Sequence, residues 1–236
     1  FFSYLHKKAK LKNLKIVTFG KDKKSDIYPL KVSKSKNSIK IFIKAKDQKI
    51  NLEIKYINIY NVLASIAVIK ELNLSLNSIR SYFRTIEPTE GRGKIHLISR
   101  YNKKFRLIDE SYNANPLSVK NAINNFNSIN KEKFKKYLIL GDMLELGQKS
   151  ELYHKNLSKV INNSDIDKVF IKGEKTLFTY KNLNKNKRGN ILQNKNDIDF
   201  ILRDIINNND YLMIKGSNAT GLNILSKKMI KGLNVI

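Results

Sequence analysis

The run Leu107-Ile108-Asp109-Glu110-Ser111-Tyr112-Asn113-Ala114-Asn115-Pro116-Leu117-Ser118 passes from an apolar strand into acidic and amide side chains and then into a proline-started helix. In open α/β sheets ligands bind at such a place, because the strand's carboxyl end opens into a crevice and the following helix offers unpaired backbone N–H groups. The residue types suit a nucleotide. Glu110 can accept both hydroxyls of a ribose, while Asn113 and Asn115 can each donate and accept at a base or amide edge. Pro116 fits the first helical turn, where its missing N–H costs nothing. The same residues also read as an ordinary βα turn with Asn115 as the helix N-cap.

Two further runs share the pattern. Leu138-Ile139-Leu140-Gly141-Asp142-Met143-Leu144-Glu145-Leu146-Gly147 and Tyr211-Leu212-Met213-Ile214-Lys215-Gly216-Ser217-Asn218-Ala219-Thr220-Gly221 are apolar strands that break at glycine and polar residues before a helix. Three such switches describe one crevice lined from several strands.

The elements that must position these residues follow from periodicity. Helix is expected over 1–13, a buried strand over 15–20, and short alternating strands over 27–32, 39–44 and 49–54. Helices follow over 58–72 and 76–83. Residues 87–93 hold proline, two glycines and charges, which marks a domain boundary between 1–88 and 89–236. Beyond it come a hairpin (95–99 and 104–109), helix 116–128, strand 136–140, helix 150–162, strand 168–171, helix 174–182, strand 189–192, helix 196–207, strand 210–214 and helix 220–231. Alternating β and α elements imply a mostly parallel, doubly wound, Rossmann-like sheet with helices on both faces. The Asn/Lys-rich stretch 181–196 reads as a loop insertion or disordered segment.

In this order and spacing, the motifs resemble the carboxyl-terminal part of a Mur ligase of the MurF type. The resemblance rests on residues 109–116 (DESYNANP), 141–147 (GDMLELG) with His154 after it, and 215–217 (KGS). Upstream, the run from Asn58 to Ala67 and the run from Pro88 to Arg92 also carry it. It implies a ligase that joins D-alanyl-D-alanine to UDP-N-acetylmuramoyl-tripeptide with ATP and Mg2+, in cytoplasmic peptidoglycan precursor synthesis. Residues 1–88 would be the end of the central ATPase domain and 89–236 the carboxyl-terminal domain. A monomer is expected.

The resemblance also implies roles. Asn58, Asn61, Arg92, Glu110, Tyr112 and Asn113 would contact ATP, and Asn115, Asp142, Glu145, Lys215 and Ser217 the dipeptide. Arg92 would reach ATP on domain closure, where a planar, always-charged fork suits phosphate oxygens. Glu110 stands where the family usually has aspartate, and Ile57 where it often has histidine. His154 reads as a structural histidine, and three scattered histidines make no metal constellation.

No phosphate loop of the form G-x-x-x-x-G-K-[ST] occurs; Gly173-Glu174-Lys175-Thr176 comes nearest and lacks the leading glycine. Neither the magnesium glutamate nor the carbamylated lysine of the family is recognisable. With an opening at Phe1, the chain reads as a fragment that begins inside the central domain and is by itself inactive. A freestanding nucleotide- or peptide-binding module is the alternative.

Composition sets the outer bounds. The absence of cysteine excludes a disulfide scaffold, and no apolar run reaches the length of about 18 residues needed to span a bilayer. The formal net charge of +26 invites a nucleic-acid reading. Against it, lysines are spread over every segment beside Asn and Ile, without the aromatic platforms that single strands stack on.

Overall fold

The computed structural model describes residues 2–35, 38–54, 58–130 and 133–232; Phe1 and Ile57 lie outside them. The chain divides into two compact units, Phe1–Pro88 and Thr89–Ile236.

In the first unit, α1 (Phe2–Leu11) precedes three antiparallel strands, β1 (Ile27–Lys34), β2 (Ile39–Ala45) and β3 (Gln48–Ile54), in spatial order β1-β2-β3. Alternation puts Ile41, Ile43, Ile50, Leu52 and Ile54 on one face, where α2 (Ile59–Glu71) covers them with Val62, Leu63, Ile66 and Ala67. Asn58 caps α2, its side chain accepting from Tyr60 N at 2.9 Å. Two expectations need correction. Residues 15–20 are no buried strand: among the described residues their strand pairing is limited to the isolated bridge Phe19–Ile27, and Thr18 is bound instead to the Asp26 carboxylate. Those two hydrogen bonds, backbone first, hold the Asp26 carboxyl below its usual range. The helix expected at 76–83 is two short ones, α3 (Leu76–Ile79) and α4 (Tyr82–Thr85), each burying one large residue, Leu76 and Phe83.

In the second unit a six-stranded sheet runs β4-β5-β9-β6-β7-β8. Its strands are β4 (Lys94–Arg100), β5 (Lys103–Glu110), β6 (Lys136–Gly141), β7 (Lys168–Lys172), β8 (Arg188–Ile191) and β9 (Tyr211–Lys215). Only the β4–β5 hairpin is antiparallel. The helices are α5 (Pro116–Asn127), α6 (Ser150–Asn162), α7 (Thr176–Lys181), α8 (Lys195–Phe200) continued by a π-helical turn Ile201–Ile205, and α9 (Leu222–Ile230). Strand alternation feeds two cores. Leu138, Leu140, Val169, Ile171 and Met213 meet α5 and α6 on one face; Tyr137, Ile139, Phe170, Leu212 and Ile214 meet α8 and α9 on the other.

Residues 181–196 are not a disordered insertion. They form a 3-10 turn, β8 and the start of α8, tied down because Lys187 Nζ donates to the carbonyls of Ser164 (2.8 Å) and Ile166 (2.7 Å) and the Arg188 guanidinium to those of Leu183 and Lys181.

The topology makes the crevice. The chain leaves β5 for β6 two places away, and β9 later fills the gap between them. The helix after β9 packs on the opposite face from the helices after β5 and β6. Adjacent connections therefore diverge on both sides of the β9 carboxyl end, the condition for a ligand crevice in such sheets.

Candidate functional site

The start of the second unit is built into this edge. Buried Asp109 accepts from Gly91 N through Oδ2 (2.9 Å) and from Ser111 Oγ through Oδ1 (2.6 Å), while Gly93 N donates to the Asp109 carbonyl (2.7 Å). Tyr112 N closes the set on the Gly91 carbonyl at 3.1 Å. Gly91 has φ +74°, and a Cβ there would stand 2.8 Å from that of Tyr112. No side chain fits. Arg92 is thus held by its neighbours on both sides, with its guanidinium 4.5 Å from the centre of the exposed Tyr112 ring, a cation–π contact.

Glu110 and Lys215 end the paired strands β5 and β9 directly opposite one another. Lys215 is 2% exposed; its Nζ donates to the carbonyls of Asn113 and of Glu110 (3.3 Å) and stands 3.5 Å from Glu110 Oε2. Burial pushes the Glu110 carboxyl above its usual range, an effect Lys215 opposes; burial likewise lowers the Lys215 ammonium, with Glu110 opposing.

Across β9 the second rim is assembled from backbone. Ser217 N donates to the Asp142 carbonyl at 3.0 Å, and Ser217 Oγ accepts from Leu144 N at 3.0 Å and reaches the Ala114 carbonyl at 3.4 Å. Gly141 and Gly216 make this possible: a Cβ on Gly216 would stand 3.0 Å from the Gly141 Cα, and one on Gly141 2.6 Å from Leu222. Glu145 is exposed at φ +61°.

Several residues read from the sequence as ligand contacts are engaged within the protein. Asp142 accepts from Thr176 N (2.8 Å) and Lys175 N (3.2 Å), so its carboxylate fills the turn before α7. The near-match to a phosphate loop, Gly173-Glu174-Lys175-Thr176, therefore already holds an anion belonging to the chain. Asn115 caps α5, exchanging hydrogen bonds with Ser118. Lys215, read as a partner for the dipeptide carboxylate, has its ammonium turned into the 110–113 turn. His154 is fully buried: Nε2 accepts from Met143 N at 3.0 Å, which leaves Nδ1 as the donor to the Ser150 carbonyl at 2.8 Å. It supports the 141–147 loop.

The edge therefore gathers Arg92, Glu110, Tyr112, Asn113 and Lys215 beside β5 and β9, and Asp142, Leu144, Glu145 and Ser217 beside β6 and β9. Asn58 and Asn61 are exposed on the first unit, Asn58 as the α2 cap. Gly91, Gly93 and Asp109 did not stand out as site residues in the sequence; the glycine pair flanking Arg92 was the available signal. Among the described residues no three His, Asp or Glu side chains cluster to hold a metal. A cavity of about 640 Å³ opens at the opposite, amino-terminal edge beside Tyr137, Asp165 and Asp167. Its polar groups hold the scaffold: Asp165 and Asp167 both bind Lys136.

Comparison with known proteins bears on this edge. Residues 91–218 match the family model described as Mur ligase, glutamate ligase domain. The UDP-N-acetylmuramoyl-tripeptide--D-alanyl-D-alanine ligase of Buchnera aphidicola subsp. Baizongia pistaciae is 28% identical over 230 residues, covering 95% of this chain and 48% of the relative. The ligase of the same name from Bacillus subtilis is 33% identical over 130 residues, 53% of this chain and 28% of that one. The fold is similar to that of the MurF ligase from Thermotoga maritima, solved in complex with ADP, with a TM-score of 0.76 at 19% identity over 95% of this chain and 50% of that one. The chain spans about half the length of the curated relatives it matches.

Proposed function

The chain belongs to the Mur ligase family, and from that premise we propose that it is part of the cytoplasmic, ATP-dependent ligase that adds D-alanyl-D-alanine to UDP-N-acetylmuramoyl-tripeptide. In that reaction ATP phosphorylates the tripeptide carboxylate, and the dipeptide amine attacks the acyl phosphate and expels phosphate. The share of the 89–236 unit is to grip the nucleoside at Glu110, Tyr112 and Asn113, to bring Arg92 to phosphate oxygens, and to hold the dipeptide along the Leu144–Ser217 rim with Glu145 near its ammonium. Catalysis by this share is orientation, which can supply about 7–11 kcal/mol. Without a phosphate loop, the 236-residue chain alone should not turn over ATP.

The single observation that carries the reading is the pairing of Glu110 with Lys215 at the end of adjacent parallel strands, beside Arg92, at the point where the connections diverge. The test is a ligase assay on a polypeptide that joins the amino-terminal half of the Buchnera relative to this chain, with the intact relative as control. Product that requires ATP and is lost in Arg92→Ala is expected. A folded chimera that binds ADP and D-alanyl-D-alanine yet makes no product would overturn the proposal.

A further inference from the structure

An ammonium has three hydrogens to give, and around Lys215 Nζ stand three acceptors: the Asn113 carbonyl, the Glu110 carbonyl at 3.3 Å and Glu110 Oε2 at 3.5 Å. With 2% of the residue exposed, water supplies nothing. The donor capacity is spent inside the protein, and none is left for an incoming carboxylate. All three acceptors lie at the end of β5 or on the turn that leads from it to α5. Two residues further on, Ser217 Oγ meets the Ala114 carbonyl of the same turn. The end of β9 is therefore a brace under the segment that carries Glu110, Tyr112 and Asn113.

The side chain of the carboxylate it braces stays 24% exposed. Glu110 Oε2 is turned to Lys215, while Oε1 faces Gly93, where a Cβ would stand 3.0 Å away. Gly93 has φ +93°, so the position favours glycine, and the space beside Oε1 stays clear. An ionised carboxylate held at a fixed angle offers a ribose diol acceptors only, which suits its two donating hydroxyls. Burial alone drives Glu110 towards its protonated form, and the Lys215 charge opposes that.

We propose, on the reading of this edge as a nucleotide site, that Lys215 is a positioning residue of the nucleoside side: it fixes the Glu110 carboxylate and the 110–113 turn for the ribose and makes no contact with the dipeptide. The apparent membership of Lys215 in the dipeptide rim, two residues from Ser217, is a matter of sequence only.

The experiment uses the full chain, isotopically labelled, as wild type, Lys215→Met and the double variant Glu110→Gln/Lys215→Met. Carbon NMR follows the Glu110 carboxyl against pH, and amide spectra follow titrations with ADP and, separately, D-alanyl-D-alanine. In Lys215→Met the Glu110 midpoint should rise by about one pH unit or more and ADP affinity fall about tenfold, as expected for loss of a charged hydrogen-bonding partner. The responses of the Ser217 and Leu144 amides to the dipeptide should be unchanged. The double variant, which removes both buried charges together, should fold, bind the dipeptide and fail to bind ADP, so that misfolding of the single variant cannot mask the outcome. An unmoved Glu110 midpoint overturns the proposal, as does loss of the dipeptide response with ADP binding retained. If wild type binds no ADP, the nucleotide reading of this edge fails, and the Glu110 midpoint still decides whether Lys215 holds the carboxylate.

Discussion

Two lysines of the second unit are buried at opposite ends of one sheet in nearly the same company. Lys136 begins β6, and its Nζ donates to the carbonyls of Asn127 and Ile129 and to Asp165 Oδ2 at 2.7 Å. Lys215 ends β9, with the carbonyls of Glu110 and Asn113 and the Glu110 carboxylate. Each has two carbonyls and one carboxylate. The acceptors of Lys136 close the end of α5 and the approach to β7, where strands begin and the loops serve the scaffold. The acceptors of Lys215 form a turn at the edge where strands end and connections diverge. The ion pair is tight at the first and loose, at 3.5 Å, at the second. A buried ammonium is a tie in both places; the edge it lies on decides what else depends on it.

The comparison breaks most easily on stability. Lys136→Met removes the ammonium shared by Asp165 Oδ2 and two carbonyls, and should cost about 3 kcal/mol in urea or thermal unfolding. Lys215→Met should cost less, about 1–2 kcal/mol, because a partly exposed Glu110 can neutralise itself by taking a proton. Equal losses would mean that the two ties are equivalent and that position in the sheet teaches nothing.

A finer difference lies in pH. The raised Glu110 contributes stability that is present below the ordinary carboxylate range and lost as pH rises through its raised value; the lowered Lys215 contributes stability present above the ordinary lysine range and lost as pH falls through its lowered value. Between the two the ionised pair is held against its own burial. Melts of Glu110→Gln/Lys215→Met should show a flatter dependence on pH than wild type on either side of that interval, from the ordinary carboxylate range up to the raised Glu110 value and from the lowered Lys215 value up to the ordinary lysine range, and an unchanged profile there would remove the pair from the pH response. The smallest effects are expected at the rim. Asp142→Ala should cost about 1 kcal/mol, as for a lost helix cap, whereas Arg92→Ala, on an exposed arginine, should stay within about 0.5 kcal/mol while abolishing product in the chimera.

What could be read from the sequence is what local chemistry decides. Pro116 and Asn115 announce the start of α5 because a ring without N–H and a side-chain cap both act within one turn. The βα alternation of the second unit survives for the same reason: each strand is an apolar run and each helix has its own period. Residues 15–20 have equally apolar side chains, but a strand exists through its neighbours, and there the backbone meets only the start of β1. The 181–196 segment has the composition of a loop, and its order comes from Lys187 and Arg188 binding distant or neighbouring carbonyls that no composition reveals. Lys215 was singled out by its motif, yet among 46 basic residues nothing in the sequence marks it as a buried one. Burial is a tertiary fact, and it reverses the direction in which that ammonium points.

The contact between Gly141 and Gly216 ties two distant stretches of sequence into a single hereditary unit. Since a methyl group at 216 would press on the 141 backbone and one at 141 on Leu222, neither loop can acquire a side chain at its root while the other stays as it is. The loops that follow, 142–147 and 217–220, are joined further by the Ser217 bonds to Asp142 and Leu144, so a change that reshapes one rim is expected to disturb the other. Swapping the 141–147 loop alone between this chain and a relative should be more damaging than swapping it together with 215–221, so that the unit of exchange at this edge is the pair.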